Sequence, residues 1–348
     1  MRTRRELLGA AGFALAGGLR AASPSIHVES VRRLFHNGEH NAFTDLVMFQ
    51  GTYYLTFRTC PDGHMVHPTS AILVLASRDG VQWKQVHRFS VSKRDTRDPH
   101  FLIFQDKLFV YTGTWYCGDT SPARYDMNQH LGYAAWSRDG VSWDGPRLLE
   151  GTYGHYIWRA ASYAGKVYLC GRRKRAFIET ATRAEQDEAV ESALLESSDG
   201  FVFHTAALFQ ETFGDETAFL IDGTGALTAV ARSGGNRNAQ LLRSQAPFTS
   251  WRRTDLGRYI GGPLLARWGG RWLVGGRKQT AAGPRCVLSW LDGDRLEDVV
   301  ELPSGGDNSY PGFFALDANR GWLSYYSSHE SEAGKPITAI YLAELRRL

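Results

Sequence analysis

The chain gathers arginine, histidine, carboxylate and tyrosine at a few points that lie far apart in sequence. Arg58 leads into Cys60-Pro61-Asp62-Gly63-His64-Met65-Val66-His67. His155 stands just before Trp158-Arg159, and Asp215-Glu216 precedes Arg232 by the length of one hairpin. Arg277 and Arg285 are followed by Asp307-Asn308-Ser309-Tyr310. A guanidinium fork grips an oxyanion through two parallel hydrogen bonds, which lysine cannot imitate. Histidines and carboxyls in a Gly- and Pro-containing loop can give and take protons. If these points converge, Arg58, Arg232 and Arg277 or Arg285 suit an anionic ligand, with His64, His67 and Asp62 as acid or base. Trp158, flanked by His155 and Arg159, is the aromatic expected to stack on a ligand ring. No H-E-x-x-H or paired-cysteine motif occurs, so neither a metal nor another cofactor is expected. Arg97-Asp98 reads as a salt bridge between neighbours.

Convergence requires an architecture that brings distant segments to one point, and a repeat supplies it. Ser77-Arg78-Asp79-Gly80-Val81-Gln82-Trp83 reads S-x-D-G-x-x-W. The phrase returns at Ser137-Arg138-Asp139-Gly140-Val141-Ser142-Trp143, and again at Ser197-Ser198-Asp199-Gly200-Phe201-Val202-Phe203 with Phe for Trp. Asp-Gly fits a tight hairpin turn, because Gly accepts positive φ and Asp can bond its own backbone. Turns recurring at this period among alternating apolar strands predict an all-β fold, a β-propeller of four-stranded blades.

Six blades are expected. Their inner strands begin near Phe43, Pro99, Tyr156, Glu216, Pro263 and Tyr310. The sixth runs out of chain after three strands, Ile337–Leu345 being the last. Ile26–Phe35 has the length and pattern of the missing fourth, and its addition would close the ring and remove an open edge. Arg183 to Ala193 is the best candidate for a helix, with an acidic loop as the alternative. In such a ring the inner strands and the loops leading into them meet at one mouth of the axial channel. The charged blade starts would then share one site.

Thr3-Arg4-Arg5-Glu6-Leu7-Leu8, an apolar run to Leu19, and the small residues Ala21-Ala22-Ser23 form an export signal of the twin-arginine type. The expected division is a signal at 1–22 and a propeller at 23–348, working in the periplasm or outside the cell. Removing residues 1–22 takes away Arg2, Arg4, Arg5, Arg20 and Glu6 and turns a net charge of +4 into +1. A near-neutral mature chain gives no reason to expect nucleic acid, and no later run is long enough to span a bilayer. Cys60, Cys117, Cys170 and Cys286 are expected as buried free thiols, with a Cys60–Cys117 bridge as the alternative. A closed ring is expected to be a monomer.

The Asp-box phrases and the blade count resemble the sialidase superfamily over roughly Thr44 to Glu344. Glu216-Thr217-Ala218-Phe219-Leu220 through Ala231-Arg232-Ser233 is similar to the stretch that holds that family's catalytic glutamate and a carboxylate-binding arginine. Arg285-Cys286-Val287-Leu288-Ser289 is similar to the stretch holding another such arginine. Tyr310-Pro311-Gly312-Phe313 is similar to the strand that starts with the nucleophilic tyrosine. The resemblance implies that Glu216 polarises Tyr310 while Arg232 and Arg285 hold an anionic sugar. It also implies a carboxylate placed beneath an oxocarbenium-like transition state. The chain departs from the family in two places. Phe43-Thr44-Asp45 stands where the family carries its first arginine, and Thr69 stands where it carries an acid aspartate. The expected activity is an exo-acting glycoside hydrolase on a carboxylate-bearing sugar. The first alternative is a lyase that cleaves uronate glycans by β-elimination, with Arg58 neutralising the carboxylate and His64, His67, His155 or Tyr310 moving protons. The second is a non-catalytic carbohydrate-binding propeller.

Overall fold

Each S-x-D-G phrase folds through its own side chains. Asp79 Oδ1 accepts from the backbone N–H of Val81 and Gln82, both at 2.8 Å, while Ser77 Oγ accepts from Gly80 N at 2.8 Å. The same net recurs at Asp139 and Asp199. Gly80, Gly140 and Gly200 have φ of 71°, 73° and 82°. Glycine is needed there for a second reason. A Cβ at Gly80 would overlap the Trp322 ring, one at Gly140 the Tyr54 hydroxyl, and one at Gly200 the Tyr111 hydroxyl. Each turn is therefore closed by an aromatic side chain from the second strand of the preceding blade. This lock joins blade six to one, one to two, and two to three.

The computed structural model describes residues 24–120 and 125–348; the predicted export segment, 1–22, lies outside them. Six four-stranded antiparallel sheets make a six-bladed β-propeller. The inner strands are His40–Phe49, Arg94–Phe104, Tyr156–Tyr163, Gly214–Ile221, Gly261–Trp268 and Asn308–Ala315. Each touches the inner strands of both neighbouring blades. Ile26–Phe35 is the outer strand of blade six and pairs antiparallel with Lys335–Arg347, Val28 facing Leu345 and Val31 facing Ala343. The ring thus closes by joining the two ends of the described chain. Helix Arg183–Ala189 sits between the second and third strands of blade three, where Thr182 and Glu185 form a reciprocal cap. It is shorter than expected because Val190–Ser197 is already strand. All four cysteines are buried and unpaired, so the alternative Cys60–Cys117 bridge is absent. No helix among the described residues is long and apolar enough to cross a membrane.

One irregularity recurs in all six inner strands. Pairing with the second strand breaks between Ala42 and Asp45, Arg97 and His100, Trp158 and Ala160, Gly214 and Thr217, Gly261 and Leu264, and Ser309 and Gly312. Bulges of this kind re-aim side chains and often border active sites. Five of the six hold a residue with left-handed φ: Phe43 at 65°, Asp98 at 53°, Arg159 at 33°, Gly262 at 56° and Tyr310 at 50°. Three carry a proline (Pro99, Pro263, Pro311), which has no N–H to give a ladder and is tolerated in sheets at bulges.

Candidate active site

The bulges bring distant residues together at one mouth of the channel. Tyr310, buried, donates through Oη to Glu216 Oε1 at 2.7 Å. Arg232 Nη1 lies 2.9 Å from Glu216 Oε2 and 3.3 Å from Tyr310 Oη, so one guanidinium touches both. Arg232 Nε lies 3.2 Å from Asp215 Oδ2, and Asp215 also accepts from Arg172. Arg277 sits over the Tyr310 ring, 5.8 Å from its centroid, and donates to Tyr326 Oη at 3.1 Å and to Asn308 O at 2.9 Å. Phe43 and Trp158 meet the same ring edge-on. Gly262 leaves room for it, since a Cβ there would come within 2.5 Å of Tyr310 Cδ2.

The electrostatics of this cluster suit a charged ligand. Burial, then the charge of Glu216, push the Tyr310 hydroxyl well above its ordinary pKa. Burial alone would lower Arg232, but Asp215 and Glu216 hold it firmly protonated. At the rim, Asp307 accepts from His64 Nδ1 at 2.7 Å, His40 Nε2 at 2.9 Å and Tyr326 Oη at 2.8 Å. Burial works against its ionisation, but the bonds from His40 and His64 keep Asp307 far below the usual carboxylate range. His40, His64 and Asp307 are close enough to share a metal ion. Their surroundings are wrong for one. Arg58 Nη1 faces His40 Nδ1 at 3.5 Å, where a metal-bound imidazole needs an acceptor, and Arg277 adds positive charge 3.6 Å from Asp307.

Of the residues singled out from sequence, Tyr310, Glu216, Arg232 and Arg277 meet, and His64 joins them at the rim through Asp307. The others are placed elsewhere. Arg58 is 0 % exposed; it is clamped by both oxygens of Asp95 and by the carbonyls of Gly63 and Met65, so it shapes the histidine loop instead of facing a ligand. His67 sits in that loop, its N–H bonded to Asp95. Asp62 is exposed and accepts from Thr69 Oγ1. His155 is buried between Tyr153 O and Arg173. Trp158 is 1 % exposed against His100 and Tyr310, a floor residue with no open stacking face. Arg159 turns to the far side of the bulges. It bonds Asp45 and the carbonyls of Pro263 and Pro311, and it lines a separate cavity of about 400 Å³. Arg285 pairs with Glu301 and with Pro284 O.

His40, Asp98, Arg172 and Tyr326 complete the surroundings of the cluster and were not among those candidates. Asp98 had a readable signal. Asp98-Pro99 repeats, at the start of blade two, the pattern of Gly262-Pro263 and Tyr310-Pro311. The expected Arg97–Asp98 bridge is not formed: Arg97 bonds Asp95, while Asp98, in a left-handed conformation, accepts from the Tyr156 hydroxyl.

No family model matches the chain, and no curated protein matches it in sequence. Solved structures match it in fold. A protein of unknown function from Dyadobacter fermentans superposes with a TM-score of 0.75 at 18% identity, covering 93% of this chain and all of that one. The Trypanosoma rangeli sialidase in complex with the inhibitor DANA gives 0.65 at 12% identity over 93% of this chain and 60% of its own. The phage phi92 endosialidase gives 0.66 at 10% identity over 91% and 69%. The chain has the sialidase-like six-bladed propeller fold.

Proposed function

We propose that the protein is a glycoside hydrolase that removes a carboxylate-bearing sugar from the end of a glycan, with Tyr310 as nucleophile. The observation that carries this reading is the 2.7 Å hydrogen bond from Tyr310 Oη to Glu216. A neutral phenol is a poor nucleophile, and a carboxylate in contact can take its proton during attack. Tyr310 Oη bonds to the anomeric carbon, its proton passes to Glu216, and the glycosidic C–O bond breaks. His64, steadied by Asp307, protonates the departing oxygen. Water then attacks the same carbon and gives a proton to His64; the tyrosyl bond breaks and Glu216 returns the proton to Tyr310. Arg232 and Arg277, on either side of Tyr310, hold the carboxylate of the sugar. Export of a monomer to the periplasm or beyond belongs to the same reading and rests on residues 1–22.

A second reading has its own observation. His64, His40 and Tyr326 all converge on Asp307 beside Arg277. A proton-handling group next to a guanidinium is what β-elimination of a uronate uses. One assay separates the two. The purified chain is offered sialyl and uronyl oligosaccharides, and both new reducing ends and the ultraviolet absorbance of an unsaturated uronate are followed. Hydrolysis gives reducing ends alone, and Tyr310→Phe then lowers kcat/KM about a thousandfold or more, some 4 kcal/mol of barrier. Unsaturated product, or full activity in Tyr310→Phe, overturns the hydrolase reading.

A further inference from the structure

The separate cavity lies on the far side of the bulges from Tyr310 and Glu216. Its volume of about 400 Å³ is that of a small-molecule site. All six inner strands line it, each with residues at or beyond its bulge. Thirteen of the sixteen lining residues are apolar, so a ligand there needs an apolar body. Val47, Ala160, Leu220, Ala266 and Ala315 are only half-buried in it. The three charged exceptions are Asp45, Arg159 and Arg267. Asp45 is satisfied: it accepts from Leu46 N at 3.0 Å, Phe101 N at 2.9 Å and Arg159 Nη1 at 3.2 Å. Arg159 is not. Its Nη2 donates to Pro311 O at 2.8 Å and Pro263 O at 3.3 Å. With the bond to Asp45, these leave one N–H of Nη1 and the N–H of Nε unused, and Nε is buried without a partner. Arg159 is only 9 % exposed and is held at φ 33°, a left-handed conformation uncommon for a residue with a side chain. Strain of this kind clusters at functional sites.

We infer that this far mouth of the channel binds a small amphipathic carboxylate, its apolar body against the inner strands and its carboxylate accepting from the unused donors of Arg159. A buried N–H without an acceptor costs stability until something accepts from it. Charge-assisted bonds to a guanidinium are the strong ones. Arg267, which donates to Gly270 O at 3.0 Å and lies over the Trp272 ring, adds a second positive charge at the rim and offsets Asp45. Other ligand chemistries fit the lining less well. A cation would face two arginines and an acid that is already bonded three times. A sugar would leave most of its hydroxyls against apolar side chains, where an unpaired polar group is costly. A wholly apolar ligand would leave the donors of Arg159 as they are.

Binding here is separate from the proposed hydrolysis and is read without any glycan. Calorimetric titration of the purified chain with octanoate, octanol and octylamine as probes reports the ligand chemistry. Octanoate is expected to saturate one site, with octanol and octylamine at least about tenfold weaker, the factor for one lost charge-assisted bond. Absence of saturable octanoate binding, or octanol binding as tightly, overturns the carboxylate site. Ala266→Phe fills the cavity from a half-buried position and leaves every charge in place. It should weaken octanoate at least about tenfold while the urea midpoint stays near that of wild type. Arg159→Gln should weaken octanoate by a similar factor. Should the loss of its bonds to three other blades prevent folding, Ala266→Phe and Leu220→Phe carry the test. Arg277→Ala, at the opposite mouth, should leave octanoate binding unchanged. Loss of binding in Arg277→Ala would put octanoate in the candidate active site, and full binding in both cavity-filling variants would put it outside the cavity; either result overturns the assignment.

Discussion

Arg232 and Arg277 differ in what surrounds them, and their removal should therefore read differently. Arg232 touches Glu216, Tyr310 and Asp215 at once. Arg232→Ala would leave buried Glu216 without its ion-pair partner and Asp215 with Arg172 alone, as well as removing a contact to the sugar. It should cost at least about 2 kcal/mol in kcat/KM, roughly thirtyfold, and should destabilise the fold measurably. Arg277 bonds a hydroxyl and a carbonyl, so Arg277→Ala leaves no close ion pair broken beyond the 3.6 Å approach to Asp307. Its main effect should be a raised KM for acidic substrates, which steady-state kinetics on charged and neutral glycosides would separate. Glu216, Arg232 and Tyr310 were legible through the resemblance of the stretches around them to sialidases. Partner choice was not legible. Arg58 looks like a ligand-binding arginine in sequence, yet Asp95, 37 positions away, takes its fork. Arg97 and Asp98 are neighbours, yet each takes a different partner. Pairing of this kind depends on which blades abut.

At the scale of turns and bulges, the recurrent S-x-D-G phrase could be read because its hydrogen bonds lie within six residues. The bulges were harder, since pairing against a second strand defines them; only Pro99, Pro263 and Pro311 mark them in the sequence. Two glycine substitutions distinguish the tasks of these elements. Gly80→Ala meets positive φ and the Trp322 ring, far from the site. It should lower stability by about 2 kcal/mol, within the usual cost of forcing extra atoms into a packed position, and leave kcat intact. Gly262→Ala presses on the Tyr310 ring itself. It should lower kcat about a hundredfold, because a nucleophile displaced by about 1 Å loses that much, with a smaller loss of stability than of rate. Denaturant titration and single-turnover kinetics on both variants would show the contrast; equal effects on rate would mean that the bulge of blade five does not position Tyr310.

For the whole molecule, acid should act through buried histidines. His100 and His155 are held neutral to about 4, first by burial and then by Arg159 and Arg173, and burial and then Arg172 push His130 well below its ordinary value. The unfolded chain protonates these rings near 6.5, so it binds more protons than the native state between about 6.5 and 4. Stability therefore falls as pH drops through that window. Asp98 contributes in the opposite sense: its share is full at low pH and is lost as pH rises toward about 7. His130 packs between Trp115 and Tyr156 with neither nitrogen bonded. His130→Phe should keep neutral-pH stability and flatten the acid decline in urea midpoints; an unchanged slope would assign the decline to other groups. The six-bladed ring and its closure by Ile26–Phe35 were legible because an odd strand at each end has only one economical partner. That closure sets an order of events during synthesis. Ile26–Phe35 is synthesised before blades one to five, and its partner, Lys335–Arg347, after them, with Leu348 N bonded to Ser25 O. Blades one to five can form before then, but the ring cannot lock until Lys335–Arg347 has been made. A nascent chain stalled before residue 335 would carry Ile26–Phe35 unpaired at one end and an open edge on Arg320–Glu332 at the other, and would be sticky until it is finished or degraded.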